Sequence, residues 1–228
     1  MTARIRWLVL AALAVVVVVV AWVAGGEGGD PGTRTAGGSV RLGPDPGQSV
    51  AEYRADLARQ LPPPGETVLA LVQLTGQLDV RSAAALAGRT PVETAVFRVP
   101  LPHVQTALRF EPVTGTGDPA GALEVASGRA ASAAAADASR LTGRPRDVAA
   151  AERRGYDDPS CRCVLALVVR ADRARLAAMA ADPSVRAVHA APPGSRTQDL
   201  AIAPLLPEQR TAADPVPDDG PVPPAPGP

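Results

Sequence analysis

The chain has 228 residues, which suits one folded domain with appendages or two small domains. Its 23 basic residues are balanced by 23 acidic ones, which argues against a strongly basic nucleic-acid-binding protein. The 25 Pro, 21 Gly and 3% aromatic residues would fit disorder, but 46% of the residues are hydrophobic, mostly Val, Leu and Ala. We interpret this bias as that of a high-GC genome, and we expect an aliphatic core.

The amino-terminal segment is predicted to cross a membrane once. Residues 7–26 are uncharged and, at about 1.5 Å per residue, form a helix of about 30 Å, which matches a bilayer core. Arg4 and Arg6 precede this span and Glu27 follows it, so the positive-inside rule places residues 1–6 in the cytoplasm and the main domain outside. A cleaved signal peptide is the alternative, and it would export the same domain.

A stalk and a short helix are predicted after the span. Residues 27–48 are rich in Gly and Pro and indicate a flexible stalk. Ser49 and Glu52 have the spacing of a capping box, which predicts a helix over residues 49–61. Pro62 and the residues after it end that helix. This helix is expected to begin an extracytoplasmic domain over residues 49–194.

An internal repeat is the most informative feature of that domain. The sequence VLALV at Val68–Val72 recurs letter for letter at Val164–Val168. An Ala-rich helix follows each copy, with Asp79 and Asp172 as N-caps, and a second strand follows each helix. The order predicts two β-α-β units, over residues 67–100 and 163–191.

Two such units in series predict an α+β, ferredoxin-like fold with the repeated strands in the centre of the sheet. The outer strands carry Glu93, Arg98 and Arg186, and charges protect sheet edges from unwanted pairing. Because the central strands are apolar on both faces and helices cover only one, the second face needs a cover. We expect the Tyr53 helix, the insertion between the repeats or another protein to supply it.

Two further segments complete the chain. The insertion over residues 101–160 is predicted to be helical, with an Ala-rich stretch at 118–141 and a second stretch at 146–153. Residues 195–228 are Pro-rich and polar, and they indicate a disordered tail that acts as a spacer.

Cys161 and Cys163 form the one sharp motif. Outside the cytoplasm disulfides persist, and the Cα atoms would lie about 6.6 Å apart in a strand, near the upper limit for a bridge. A bend over residues 158–160 would close a local disulfide. Intermolecular disulfides and a redox-active pair, which would resemble the C-x-C motifs of some thiol oxidoreductases, are the alternatives.

No other residues form a catalytic or metal-binding pattern. His103 and His189 are too few for a zinc site, and we interpret them as a turn residue and a structural residue. The arginines between residues 140 and 154 alternate with acidic residues, so we interpret them as a solvated surface. We therefore expect no cofactor, no metal and no enzymatic activity.

The second repeat resembles the propeptide and inhibitor family of subtilisin-like proteases. The similar part is Val164–Val188, which ends in the return strand Asp182-Pro183-Ser184-Val185-Arg186-Ala187-Val188. No protease domain follows, which departs from the usual setting of a propeptide. The whole arrangement is similar to uncharacterised single-pass membrane-anchored proteins of high-GC actinobacteria, a resemblance that implies no functional residues.

These observations predict a membrane-anchored extracytoplasmic module for protein interaction or scaffolding, with an envelope protein docking on the apolar sheet face. A protease inhibitor or intramolecular chaperone of the propeptide type is an alternative. A thiol-redox protein that uses Cys161 and Cys163 is a second alternative.

Overall fold

The computed structural model describes residues 34–35, 39–57, 59–115 and 117–224. The predicted cytoplasmic residues 1–6, the predicted span 7–26 and much of the predicted stalk lie outside them. No helix in these described ranges is both long and apolar enough to cross a bilayer.

The fold is mixed α+β, as predicted, with two sheets and five α-helices in the described residues. The elements are β1 (Arg34–Thr35), β2 (Ser39–Leu42), α1 (Val50–Leu57), β3 (Thr67–Leu78), α2 (Val80–Ala87), β4 (Val92–Phe97), β5 (Arg109–Pro112), α3 (Pro119–Arg140), α4 (Gly143–Asp157), β6 (Val164–Asp172), α5 (Arg173–Ala180), β7 (Val185–Ala190) and β8 (Leu200–Ile202). A 3-10 turn at Thr197–Asp199 precedes β8.

The larger sheet has the strand order β5-β4-β6-β3-β7, and every neighbouring pair is antiparallel. Strands β3 and β4 therefore run parallel with β6 between them, and β6 and β7 run parallel with β3 between them. The two strands with the repeated sequence lie side by side in the centre, where Leu71 pairs with Val168. Helices α2 and α5 are the crossovers of the two β-α-β units.

The edges of this sheet differ in part from the prediction. Strand β7, which contains Arg186, is an edge strand as expected. Strand β4, which contains Glu93, is not, because β5 pairs with its outer side and places Phe110 opposite Val96. Arg98, expected at that edge, is only 2% exposed and forms an ion pair with Glu208 at 2.8 Å.

One face of the sheet is covered by helices, and its core is aliphatic. Ala83 of α2, Leu123 of α3 and Leu176 of α5 are fully buried there against β3 and β6. The N-caps form as predicted: Asp79 accepts a hydrogen bond from the Ser82 amide at 2.9 Å, and Asp172 accepts one from the Arg175 amide at 2.8 Å. These bonds satisfy amides that the first helical turn leaves without partners.

The second face is covered by segments that we predicted to be stalk and tail. Strand β2 pairs in parallel with β8, so that Val40 lies opposite Leu200. Both strands pack with Leu71 and Val168 of the large sheet. Residues 39–42 and 197–202 thus have regular structure, and Leu205 is fully buried, in contrast to the predicted flexible stalk and disordered tail.

The physical reason lies in a few apolar side chains within Pro- and Gly-rich sequence. Val40 and Leu42 alternate along β2, so both can face the sheet while Arg41 between them is turned away from it. Helix α1 covers a further part of the same face through Tyr53 and Leu57, as one of our alternatives proposed. Helix α1 ends at Leu57 instead of residue 61.

The insertion over residues 101–160 is only partly helical. It begins with irregular chain and the strand β5, and only then forms α3 and α4, which pack against each other as a hairpin. Asp118 caps α3 and accepts a hydrogen bond from the Ala120 amide at 3.0 Å. Helix α4 begins at Gly143, before the stretch 146–153 that we predicted.

Candidate functional site

Cys161 and Cys163 form a close pair that is joined as a disulfide, with Cα atoms 5.3 Å apart. This Cα–Cα separation is shorter than in an extended strand, because the chain turns just before Cys161. The Asp158 carboxylate accepts hydrogen bonds from the amide and hydroxyl of Ser160, and the Cys161 amide donates to the Asp158 carbonyl oxygen. Cys163 is buried, whereas Cys161 is half-buried.

An open cavity of about 770 Å³ lies beside Cys161. The start of α2 forms one wall, and α3 forms another through Ser127, Gly128 and Ala131. These three residues are small, and a Cβ added at Gly128 would meet nothing within 4 Å. Half-buried Cys161 therefore lines a space that can hold part of another molecule.

The two histidines lie in separate places. His103 has a φ of 55° in an exposed turn, with Nδ1 3.2 Å from Asp219. His189 is buried on β7, far from any such turn. Within the part of the chain that the structure describes, no three His, Cys, Asp or Glu side chains are grouped so that they could hold a metal ion.

His189 belongs to a buried hydrogen-bond network that joins five segments of the chain. The Gly43 amide donates to its Nδ1 at 3.0 Å, and the Tyr53 hydroxyl lies 3.0 Å from the same nitrogen. The Gln73 side-chain amide donates to the Tyr53 hydroxyl at 2.8 Å and accepts from the Leu205 amide at 2.8 Å. Burial lowers the pKa of His189 to about 4, so the ring is neutral at physiological pH.

A second buried polar cluster connects β5 with the helical hairpin. Arg109 Nη2 lies 2.5 Å from Glu152 and 3.0 Å from Asp137, and the Ala107 amide donates to Glu152 at 2.6 Å. A cavity of about 260 Å³ adjoins these groups. This one guanidinium binds both carboxylates and so connects β5 to both helices of the hairpin. Removing one partner would leave a buried charge without compensation, which is costly.

The arginines between residues 140 and 154 are only partly a solvated surface. Arg140, Arg146 and Arg153 form exposed pairs with nearby acids, as expected. Arg144 instead donates to the Gly220 carbonyl oxygen at 3.0 Å, and Arg154 donates to that of Pro223 at 2.8 Å. Two of the five therefore hold the carboxyl-terminal segment.

The sheet face that we predicted as the partner surface is buried within the chain itself. Leu71, Leu165 and Val168 are all fully buried beneath β2 and β8. An envelope protein cannot dock there while these strands are in place. A different surface is needed for any protein interaction.

A groove beside the edge strand β7 provides an accessible alternative. It has a volume of about 470 Å³ and lies between α1 and the end of α5. Its walls are mainly apolar: Ala51, Ala55, Leu57, Leu61 and Ala180, with Val188 beneath. We call it the α1–α5 groove. Four of its lining residues are alanines, and their small side chains leave this space open.

Two arginines give the α1–α5 groove a positive charge. Arg186, on β7, donates to the carbonyl oxygens of Leu206, at 2.9 Å, and Gln209. Burial lowers the pKa of Arg186, and the nearby charge of Arg54 lowers it further. Neither arginine forms an ion pair with a carboxylate of the described residues, and no Asp or Glu lines the groove beside them.

Comparisons with protein families, curated proteins and solved structures find no match. The case for a binding site therefore rests on the residues of the groove.

Sequence reasoning identified Arg186 as an edge charge but missed the groove. The one available signal was the helical periodicity of α1. Tyr53 and Leu57 predicted its buried side, which leaves Ala51, Arg54 and Ala55 on its accessible side. The contribution of α5 and β7 depends on tertiary packing, which no local pattern encodes.

Proposed function

We propose that the chain is a membrane-anchored, extracytoplasmic protein-interaction module that binds a peptide segment of its partner in the α1–α5 groove. The observation that carries this proposal is an accessible, mainly apolar groove of about 470 Å³ with two arginines at its rim. Pockets of this size with apolar walls and a few polar groups are typical of binding sites. The module acts by binding and not by catalysis.

The proposed architecture of this module is ferredoxin-like. The order β4-β6-β3-β7, with two β-α-β crossovers, supports that description. Strand β5, the α3–α4 hairpin and the small second sheet are then additions to it. The stretch that resembles subtilisin propeptides, Val164–Val188, corresponds to β6, α5 and most of β7.

The proposed anchor is the apolar segment 7–26, with the folded part outside the cytoplasm. It is supported by the uncharged length of the segment and the arginines that precede it. The intact mass of the membrane fraction tests this point. A mass that corresponds to the full chain supports an anchor, whereas loss of about the first 25 residues supports a cleaved signal peptide.

The binding function can be tested by selecting a random peptide display library against the purified full chain. We expect peptides to be enriched that compete for one site. Ala55→Trp should abolish their binding, because Ala55 is exposed and a large ring there fills the groove. Ala85→Trp is the matched control, since Ala85 is also exposed on a helix but lies outside the groove.

Two results would contradict the proposed binding function. One is a library that yields no specific binder. The other is a set of binders that Ala55→Trp and Ala85→Trp affect equally, which would place the interaction elsewhere on the surface.

A thiol-disulfide function is a second candidate, favoured by the position of Cys161 at an open cavity of about 770 Å³. In that reaction a partner dithiol would be oxidised to a disulfide while the Cys161–Cys163 disulfide is reduced to two thiols. The test is exchange with a reduced peptide, followed by thiol labelling of the full chain. A disulfide that stays oxidised in the folded protein excludes this function.

A further inference from the structure

The charge in the α1–α5 groove indicates which peptides it would select. We propose that the groove binds an extended partner segment in which an acidic side chain lies next to an apolar one. This inference rests on the proposed peptide-binding function and gives it a chemical specificity.

The apolar part of the partner follows from the groove walls. The surfaces of Ala51, Ala55, Leu61 and Ala180 offer no hydrogen-bonding side chains, so a polar side chain inserted between them would lose its water without replacement. An aliphatic or aromatic side chain would instead gain free energy in proportion to the apolar surface that it buries. The anchor of the partner is therefore apolar.

The acidic part follows from Arg54 and Arg186. Arg186 is half-buried and donates to neutral backbone carbonyl oxygens, so no carboxylate among the described residues compensates its charge. Arg54 is exposed on α1 and adds a second positive charge close enough to affect Arg186. One carboxylate bound between them would relieve this repulsion, and arginine binds carboxylates through paired hydrogen bonds.

The same charges disfavour a second copy of this chain as the occupant. A second copy that presented its own groove lining would bring another Arg54 and Arg186 to this surface and no carboxylate. Like charges placed together at an interface oppose association and select against that partner. A heterologous acidic segment avoids this cost.

The test is a comparison of display selections against the full chain and two variants. For the unmodified chain, we expect at least threefold enrichment of Asp or Glu beside an apolar residue over the input library. Arg54→Gln should remove this enrichment while apolar residues remain selected, because the groove walls are unchanged. Arg81→Gln is the control, since Arg81 is also exposed on a helix but lies outside the groove.

A selected sequence would then be synthesised with both termini capped, so that the side chain is its only carboxylate. Replacing its acidic residue by the matching amide should weaken binding at least tenfold to the unmodified chain and less than threefold to the Arg54→Gln variant. Raising the salt concentration should reduce the difference, because the arginines are partly exposed.

The possible results distinguish the preference for acidic residues from peptide binding in the groove. Peptides that Ala55→Trp blocks but that show no preference for acidic residues overturn the inference and leave the binding function in place. No groove-dependent peptide at all overturns both. Arg54-dependent binding to vesicles with anionic headgroups, with no binding of acidic peptides, overturns the inference in favour of a lipid ligand.

Discussion

At the scale of the residue, arginine side chains hold irregular chain segments to the folded domain. Arg144, Arg154 and Arg186 donate to backbone carbonyl oxygens of the carboxyl-terminal segment. Arg173 donates to the carbonyl oxygen of Pro62, and Arg175 donates to the carbonyl oxygens at the end of α2. The sequence contains no Lys, so every such contact uses a guanidinium. Its five donors lie in a fixed plane, which allows one side chain to bind two acceptors at once.

This role predicts that Arg144→Lys loosens the segment that Arg144 binds. Arg144 contacts the carbonyl oxygens of both Asp218 and Gly220, and a single ammonium cannot reproduce that geometry. We expect hydrogen exchange at the Gly220 amide, which donates to the His103 carbonyl oxygen at 2.7 Å, to rise about tenfold, since a hydrogen bond to a charged group contributes about 1.5–3 kcal/mol. Arg146→Lys, which alters an exposed pair with Asp147, should leave that exchange unchanged. Equal exchange in both variants would show that Arg144 does not hold the segment.

His189 predicts a pH dependence of stability. Its pKa is lowered from 6.5 to about 4 in the folded protein because it is buried. Above pH 6.5 the ring is neutral in both states; as the pH falls from 6.5 to 4, only the unfolded state gains the proton, so stability decreases. The loss reaches about 3 kcal/mol by pH 4 and does not increase below it, because both states are then protonated.

Urea denaturation at pH 7, 5.5 and 4.5 measures this effect. His189→Gln should remove the part of the pH dependence of the unfolding free energy that comes from the buried ring. His103→Gln should keep that part, because His103 is exposed. Carboxylates titrate over the same range, so the difference between the two variants is the relevant quantity. Identical slopes would contradict the assignment to His189.

At the scale of the element, two glycines within helices have opposite packing environments. Gly155 of α4 lies so close to β4 and its following residues that an added Cβ would come within 2.5 Å of Val99 Cγ1. Gly128 of α3 faces open space. The helices therefore tolerate a methyl group at one position and not at the other.

Gly155→Ala should destabilise the protein and Gly128→Ala should stabilise it. Overpacking against the buried Val99 costs about 1–3 kcal/mol, which exceeds the gain in helix propensity. At Gly128 nothing opposes that gain, which is about 1 kcal/mol. Unfolding free energies from chemical denaturation test both changes. Two shifts of the same sign would show that propensity alone, and not the approach to Val99, determines the outcome.

The sequence predicts the long strands and the capped helices of the fold better than its short strands. Strands β3 and β6 carry a repeated apolar pattern of five residues, and α2 and α5 have acidic caps, so each has a local signal. Strands β2, β5 and β8 have only three or four residues each, too few for a periodicity to emerge. They form strands because a partner strand or an apolar sheet face lies beside them.

The same limit applies to the candidate site. The disulfide of Cys161 and Cys163 could be predicted because only one residue separates them and a Pro-containing turn comes just before them. The α1–α5 groove could not, because Arg54 and Arg186 are 132 residues apart in the sequence and meet only after β7 takes its place at the sheet edge. A charged residue on an edge strand indicates protection of that edge against pairing with another strand. The sequence around Arg186 does not distinguish this role from ligand binding.

At the scale of the whole molecule, the two faces of the large sheet are buried in different ways. The first face is covered by the helices α2, α3 and α5. The second face is covered by the strands β2 and β8 together with α1. The second cover is made of chain from opposite ends of the domain, and the network around His189 and Gln73 binds these ends to each other. Removal of either end should therefore expose the same apolar surface.

Deleting residues 196–228 tests this arrangement. The deletion removes Leu200, Ile202, Leu205 and Leu206, all of which pack on the second face or beside it. Burial of each such side chain contributes about 1.5–3 kcal/mol, so their sum is comparable to the whole stability of a typical domain. We expect the shortened chain to lose cooperative unfolding, or to self-associate and bind the dye ANS through Leu71 and Val168.

Deleting residues 225–228 is the matched control, since it shortens the same terminus and keeps every one of these contacts. Size-exclusion chromatography, ANS fluorescence and urea denaturation should then give the values of the full chain. If the longer deletion also retained them, residues 196–224 would be dispensable for the fold, and the second face would remain soluble without its cover. That result would restore the apolar sheet face as a candidate surface for an envelope partner, in competition with the α1–α5 groove.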